Sequence, residues 1–225
     1  MPNWCSTVIK FYSHDKAQVE EMYKKFSDII NGEATVENDF KNGWMGDFAN
    51  TFFPELGHDK IECRGWVDGM DEIYEQDGYT IFTMWTETAW GPKVAIWNEI
   101  IKKFYPEVKM AYSAEEGGCC LYCKWDEDDM FYPDEFYVDI CYPDKKGNIC
   151  QIDDHYQFGS VEEIQKYLDE EMGLLYEHKS NSDEQATEIQ SVLDAYAEGH
   201  DCEGELYCVI EPFVVEPPEN FSFLN

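Results

Sequence analysis

The sequence predicts an α+β chain. Runs with two-residue apolar alternation and runs with 3.6-residue apolar stripes interleave up to residue 113, and a second group of strand-like runs and capped helices follows from residue 118. With 225 residues, 44% hydrophobic and 16% aromatic, the chain has apolar area for one large core or two small ones.

Residues 4–12 open as a strand, with Val8, Lys10 and Tyr12 on one side and Thr7, Ile9 and Phe11 on the other. Ser13 or Asp15 then starts a helix in which Val19, Met22, Tyr23, Phe26, Ile29 and Ile30 recur at helical spacing, and Gly32 stops it. Residues 38–59, rich in Gly, Asn and Phe, read as irregular. Residues 61–67 and 79–88 read as paired strands, the second beginning after an Asp77-Gly78 turn. Pro92 suits the first turn of another helix, whose stripe is Val94, Trp97, Ile101 and Phe104 and whose end is Pro106. Residues 108–113 extend again. The order β-α-β-β-α-β is that of a ferredoxin-like sandwich, a topology that entails no iron–sulfur cluster.

Residues 118–125, 136–142 and 149–153 read as further strands, the last two joined across Asp144-Lys145-Lys146-Gly147-Asn148. Two helices with capping boxes follow: Ser160 with Glu163, ending at Gly173, and Ser182 with Gln185, ending at Gly199. Residues 205–211 form a closing strand before a proline-containing tail, 212–218. The expected organisation is a ferredoxin-like domain, 1–125, and an acidic α+β extension, 126–225, that is either a separate unit or a continuation of the same sheet.

Met1-Pro2-Asn3-Trp4-Cys5, the segment Phe48…Phe53-Pro54-Glu55, the run Thr86-Glu87-Thr88-Ala89-Trp90-Gly91-Pro92 and Tyr112…Glu115-Glu116-Gly117 together resemble the YubB-like proteins, small proteins of plasmids, phages and related mobile elements. The likeness covers residues 1–125. It departs at Ser6-Thr7, where an Asn usually follows the pentapeptide, and at Lys93, where a second Pro is expected. It implies a ferredoxin-like domain and a mobile-element origin, brings no catalytic residue, and does not reach the acidic region.

Charge bounds the partner. Residues 1–112 hold 19 Asp+Glu against 11 Lys+Arg, whereas residues 113–225 hold 29 against 5, so −24 of the net −32 lies in the second half. Such a chain repels nucleic acid and anionic membranes and attracts basic proteins. Arg64 is the only arginine, which leaves little means of gripping phosphate by bidentate forks. Nine cysteines, an odd number, without a basic-then-apolar leader, lead to the expectation of a reducing cytosol with free thiols, which the resemblance implies is that of a bacterial host cell. No apolar stretch approaches the roughly 20 residues of a membrane span.

The candidate acidic patch is Asp126, Glu127, Asp128 and Asp129 with Asp134 and Glu135; a calcium loop would need a turn glycine that this run lacks. Trp66, Trp85 and Trp90 are candidates for an aromatic groove. Cys119, Cys120 and Cys123 have part of a zinc-thiolate spacing without a second close pair, since Cys141 and Cys150, and Cys202 and Cys208, are too far apart. On a strand, Cys119, Leu121, Cys123 and Trp125 would share a core face. Asp153-Asp154-His155 has the composition of an oriented base, but no nucleophile elbow, phosphate-binding loop or dinucleotide-binding glycine pattern accompanies it. No catalytic residue, cofactor or metal is therefore expected. The leading expectation is a non-enzymatic acidic interaction protein of phage or plasmid origin that binds a basic partner. A host nucleic-acid-binding or defence protein, inhibited through DNA mimicry, fits that description. Two alternatives stay open: a small-ligand-binding protein or enzyme with an aromatic pocket between the halves, and a structural or assembly protein.

Overall fold

In β1 (Trp4–Ser13), alternation turns Cys5, Thr7, Ile9 and Phe11 into the interior. Asp15 caps α1 (Lys16–Ile30) by accepting the Ala17 and Gln18 amides, the helix buries Val19, Met22, Phe26 and Ile29, and Gly32 at φ +78° ends it as expected. The computed structural model describes residues 3–33, 42–152, 157–200 and 206–225.

Within the stretch expected to be irregular lies α2 (Met45–Phe52). Six of its eight residues are buried, so it has no polar face to reveal a period, and Trp44 at its N-cap offers no side-chain acceptor. Next, β2 (Gly65–Met70) starts four residues later than expected and is bulged between Val67 and Gly69. The Asp77-Gly78 turn, with φ of +52° and +82°, joins β3 (Tyr74–Gln76) to β4 (Tyr79–Ala89), so the hairpin partner of β4 is β3. Pro92 stands ahead of the N-cap Lys93, two positions before the first residue of α3 (Val94–Phe104), and not in its first turn. β5 (Lys109–Glu116) follows. The strand expected over 118–125 shortens to β6 (Leu121–Trp125), because the Glu116 carboxylate accepts the Gly118 amide and folds Gly117–Cys119 into a 3-10 turn that ends with Cys120 at φ +50°.

These strands build one sheet in the order β6-β5-β1-β4-β2, antiparallel throughout, with β3 also on β4. Its inner face packs on the three helices, and Phe26 lies at the centre, with its ring against Phe11, Phe48, Phe52, Phe82 and Trp97.

A second compact unit comprises Pro133–Phe213. The boundary expected at residue 126 lies at Tyr132/Pro133, since residues 126–132 pack on the first sheet. In the second unit β7 (Phe136–Pro143), β8 (Ile149–Ile152) and β9 (Gln157–Phe158) precede α4 (Val161–Glu171), α5 (Ser182–Gly199) and β10 (Tyr207–Pro212). They form a separate antiparallel sheet, β10-β7-β8 with β9 on β7, whose core joins Val138, Ile140 and Ile210 to Ile164, Leu168, Ile189 and Leu193. Ser160 caps α4 through the Glu163 amide as expected. The cap of α5 is Asn181, accepting from the Glu184 amide, and not Ser182; both fit the same spacing and Asn is at least as good an acceptor.

The tail then returns to the first unit. β11 (Val214–Val215) lies parallel to β6, which makes the first sheet mixed, while Phe221 and Phe223 pack on the first core and Leu224 bridges Ile61. Asp153, Asp154 and His155, like Cys202, lie outside the described residues.

Candidate binding groove on the open sheet face

The outer face of the first sheet carries Trp4, Ser6, Val8, Lys10 and Tyr12 from β1, Trp66 and Asp68 from β2, and Ile81, Thr83, Trp85 and Glu87 from β4. One half is covered. Residues 126–132 cross it, so that Met130, Phe131 and Tyr132 close over Tyr12, Ile81 and Ala111. The strap is held by the acids expected to form a solvated patch. Asp126 accepts the Phe131 amide at 2.5 Å and the Tyr132 amide at 2.9 Å, and the Tyr132 hydroxyl donates to the Val8 carbonyl at 3.0 Å. Asp128 accepts from the Tyr12 hydroxyl at 3.0 Å and from Lys109 at 3.0 Å, and Glu127 reaches the same lysine at 3.5 Å. Asp129, exposed at φ +49°, turns the chain. Asp134 and Glu135 belong to the second unit, where Glu135 is exposed and its backbone bonds Phe158 and Phe213.

The Lys109 ammonium holds the Asp128 carboxyl below its ordinary value of 3.8, and the Tyr12 hydroxyl adds to this. A lowered folded value means stability that is full above the unfolded pKa and is lost as pH falls through the folded one. An acid titration followed by amide exchange of residues 130–132 is therefore expected to release the strap below about pH 3.8. Asp128→Asn is expected to loosen it at neutral pH and flatten this dependence.

No described segment of the first unit crosses the other half of the face. There Trp4, Trp66, Asp68 and Glu87 line an open groove of about 320 Å³. β4 runs between β1 and β2, and the two indoles lean together across it, centroids 5.5 Å apart and planes at 57°. Glu87 is the cross-strand partner of both Ser6 and Trp66, and its carboxylate accepts the Ser6 hydroxyl. Trp66 Nε1 is shielded and has no hydrogen-bond partner, a donor that costs about 1–3 kcal/mol while unmatched.

Of the expected aromatic candidates, only Trp66 lines this groove. Trp85 is half-buried on the same face, and Trp90, 58% exposed at φ +68°, stands past the end of β4. Trp4, Asp68 and Glu87 were not anticipated as site residues. A larger hollow of about 420 Å³ beside α1 and α3 carries Lys24 and Lys25 against Glu21 and Asp28, so its charges balance.

The cysteine candidates do not converge. Cys119 is exposed in the 3-10 turn, accepting from the Asn3 amide at 3.3 Å, and does not share the buried face expected for it. Cys120 is also exposed, while Cys123 is buried beside Tyr112, where burial raises its thiol pKa to about 11. Among the described residues no group of three or more His, Cys, Asp and Glu is placed to hold a metal ion. No helix among the described residues is long and apolar enough to cross a membrane.

No family model, curated protein or solved structure matches the chain. What the groove and the charged surfaces can do is thus a matter of their own chemistry.

Proposed function

We propose that this chain is a non-enzymatic interaction protein that binds a basic protein through the helices of its second unit. One observation carries the reading. Every acid of α4, namely Glu162, Glu163, Asp169, Glu170 and Glu171, is exposed, as are Asp183, Glu184, Asp194 and Glu198 of α5. Residues 133–213 hold 21 Asp+Glu against 4 Lys. Burial of Ile164, Leu168, Ile189 and Leu193 fixes the opposite faces of both helices inward, so the carboxylates stand outward on an ordered scaffold. An ordered anion array can occupy the groove that a basic protein keeps for nucleic acid, whose duplex carries one charge per roughly 1.7 Å.

Mobile-element origin and a bacterial cytoplasmic setting are part of the same proposal. They are supported by the motifs shared with YubB-like proteins, by the thiol-rich composition, and by the strand order β5-β1-β4-β2 with α1 and α3 as crossovers, which agrees with a ferredoxin-like reading. The partner that fits is a host nucleic-acid-binding or defence protein.

The test is affinity capture from bacterial lysate with two variants of equal net charge. One changes Glu162, Glu170, Glu171 and Glu198 to Gln; the other changes Glu20, Glu21, Glu72 and Glu107 to Gln. The expected result is a basic protein retained by the native chain and the second variant, lost about ten-fold from the first, and released between about 50 and 200 mM salt. Equal loss from both variants, or retention that ignores salt, removes the proposal.

A further inference from the structure

The groove lined by Trp4 and Trp66 carries a second, independent binding chemistry. Its two indoles meet at 57° instead of stacking, and Trp4 keeps 41% of its surface exposed. A tilted pair of this kind presents ring faces to a guest, and the face of Trp is the most favourable aromatic surface for a cation. The same groove holds two carboxylates, Asp68 and Glu87. An anion is repelled by that pair, and a neutral ligand would desolvate it without recompense. A small metal ion would gain few oxygen ligands and lose its water to indole carbon. A cation whose charge is spread over methyl groups satisfies both surfaces: its weak hydration is easily shed, its methyls lie on the rings, and the carboxylates neutralise it.

We propose that the groove formed by Trp4, Trp66, Asp68 and Glu87 binds an alkylated ammonium head group. About 320 Å³ accommodates a trimethylammonium group with a short chain attached. The ligand chemistry has two sources, a free choline-like molecule or a methylated lysine of a protein, and the site does not depend on the acidic helices.

Calorimetric titration of the full chain tests this with four probes: choline; 3,3-dimethylbutanol, which has the shape of choline without the charge; and a short peptide with trimethyl-lysine or with unmodified lysine. The expected result is one saturable site for choline or the trimethylated peptide, with the neutral isostere at least about ten-fold weaker. Glu87→Gln and Asp68→Asn are each expected to weaken that binding about five-fold or more with the thermal midpoint unchanged, and Trp4→Ala to weaken it further. Tighter binding of the trimethylated peptide than of choline assigns the guest to a protein side chain, and the reverse order to a free small molecule. Equal affinity for choline and its isostere overturns the proposal, as does the absence of saturation below about 10 mM for both cationic probes, or affinity unaltered by both carboxylate variants.

Discussion

Replacing Phe26 with Ala is expected to lower the unfolding free energy of the first unit by about 4 kcal/mol. Phe26 is fully buried, and its ring joins the sheet, through Phe11 and Phe82, to α2 through Phe48 and Phe52 and to α3 through Trp97. Truncation removes the transfer term of a benzyl group and leaves a void bounded by rings from four elements, which cannot all collapse into it. Aromatic edge contacts add about 0.5–1.5 kcal/mol each beyond area, so the upper part of the range applies. Urea unfolding followed by tryptophan emission measures this selectively, because all seven tryptophans lie at or before residue 125, in the first unit. The midpoint should fall with the slope unchanged. A loss under about 1.5 kcal/mol would mean that Phe26 is not the centre of the core.

Gly65→Ala is expected to cost about 3 kcal/mol and to abolish binding of the cationic probe that the groove takes together with it. A Cβ at residue 65 would sit 2.5 Å from the Glu87 carbonyl oxygen and 2.9 Å from Thr88 Cα, so backbone must move. The displaced strand carries Trp66, and the strand it is pushed from carries Glu87, so the strain reaches both walls of the groove. Gly69→Ala is the control: nothing lies within 4 Å of a Cβ there, and its effect on stability should stay within about 0.5 kcal/mol. Thermal unfolding and calorimetry on the pair measure both effects. Equal behaviour of the two variants would show that β2 yields freely at its first residue.

Elements with one wet and one dry face were legible in the chain. Val19, Met22, Phe26 and Ile29 mark α1 by period alone, and Asp15, Gly32 and Ser160 mark helix ends by chemistry that acts within four residues. α2 was hidden because Met45, Phe48, Ala49 and Phe52 are buried together with Gly46 and Asp47, which leaves no contrast to read. Cys119 was misread as part of a strand because the feature that folds the turn is a single carboxylate, Glu116, at the end of β5. The groove was only partly visible for a different reason. Trp4 and Trp66 meet across an intervening strand, so their encounter depends on the β1–β4 register and on the bulge between Val67 and Gly69, neither of which alternation alone specifies. Formal charge likewise cannot separate Asp126 and Asp128, which bind the backbone and Tyr12, from the carboxylates that α4 points at solvent.

The return of residues 214–225 to β6 and Ile61 makes the acidic unit a cassette spliced into its host and tethered at both ends. A single peptide-bond cut inside it would leave two fragments still clasped through the host's sheet, with the half-buried Phe221 and Phe223 packed on the host's core. Anchoring both junctions also shrinks the ensemble that the unfolded cassette can explore, so its helices start from a loop whose closure entropy has already been met by the sheet to which its two flanking segments are fixed.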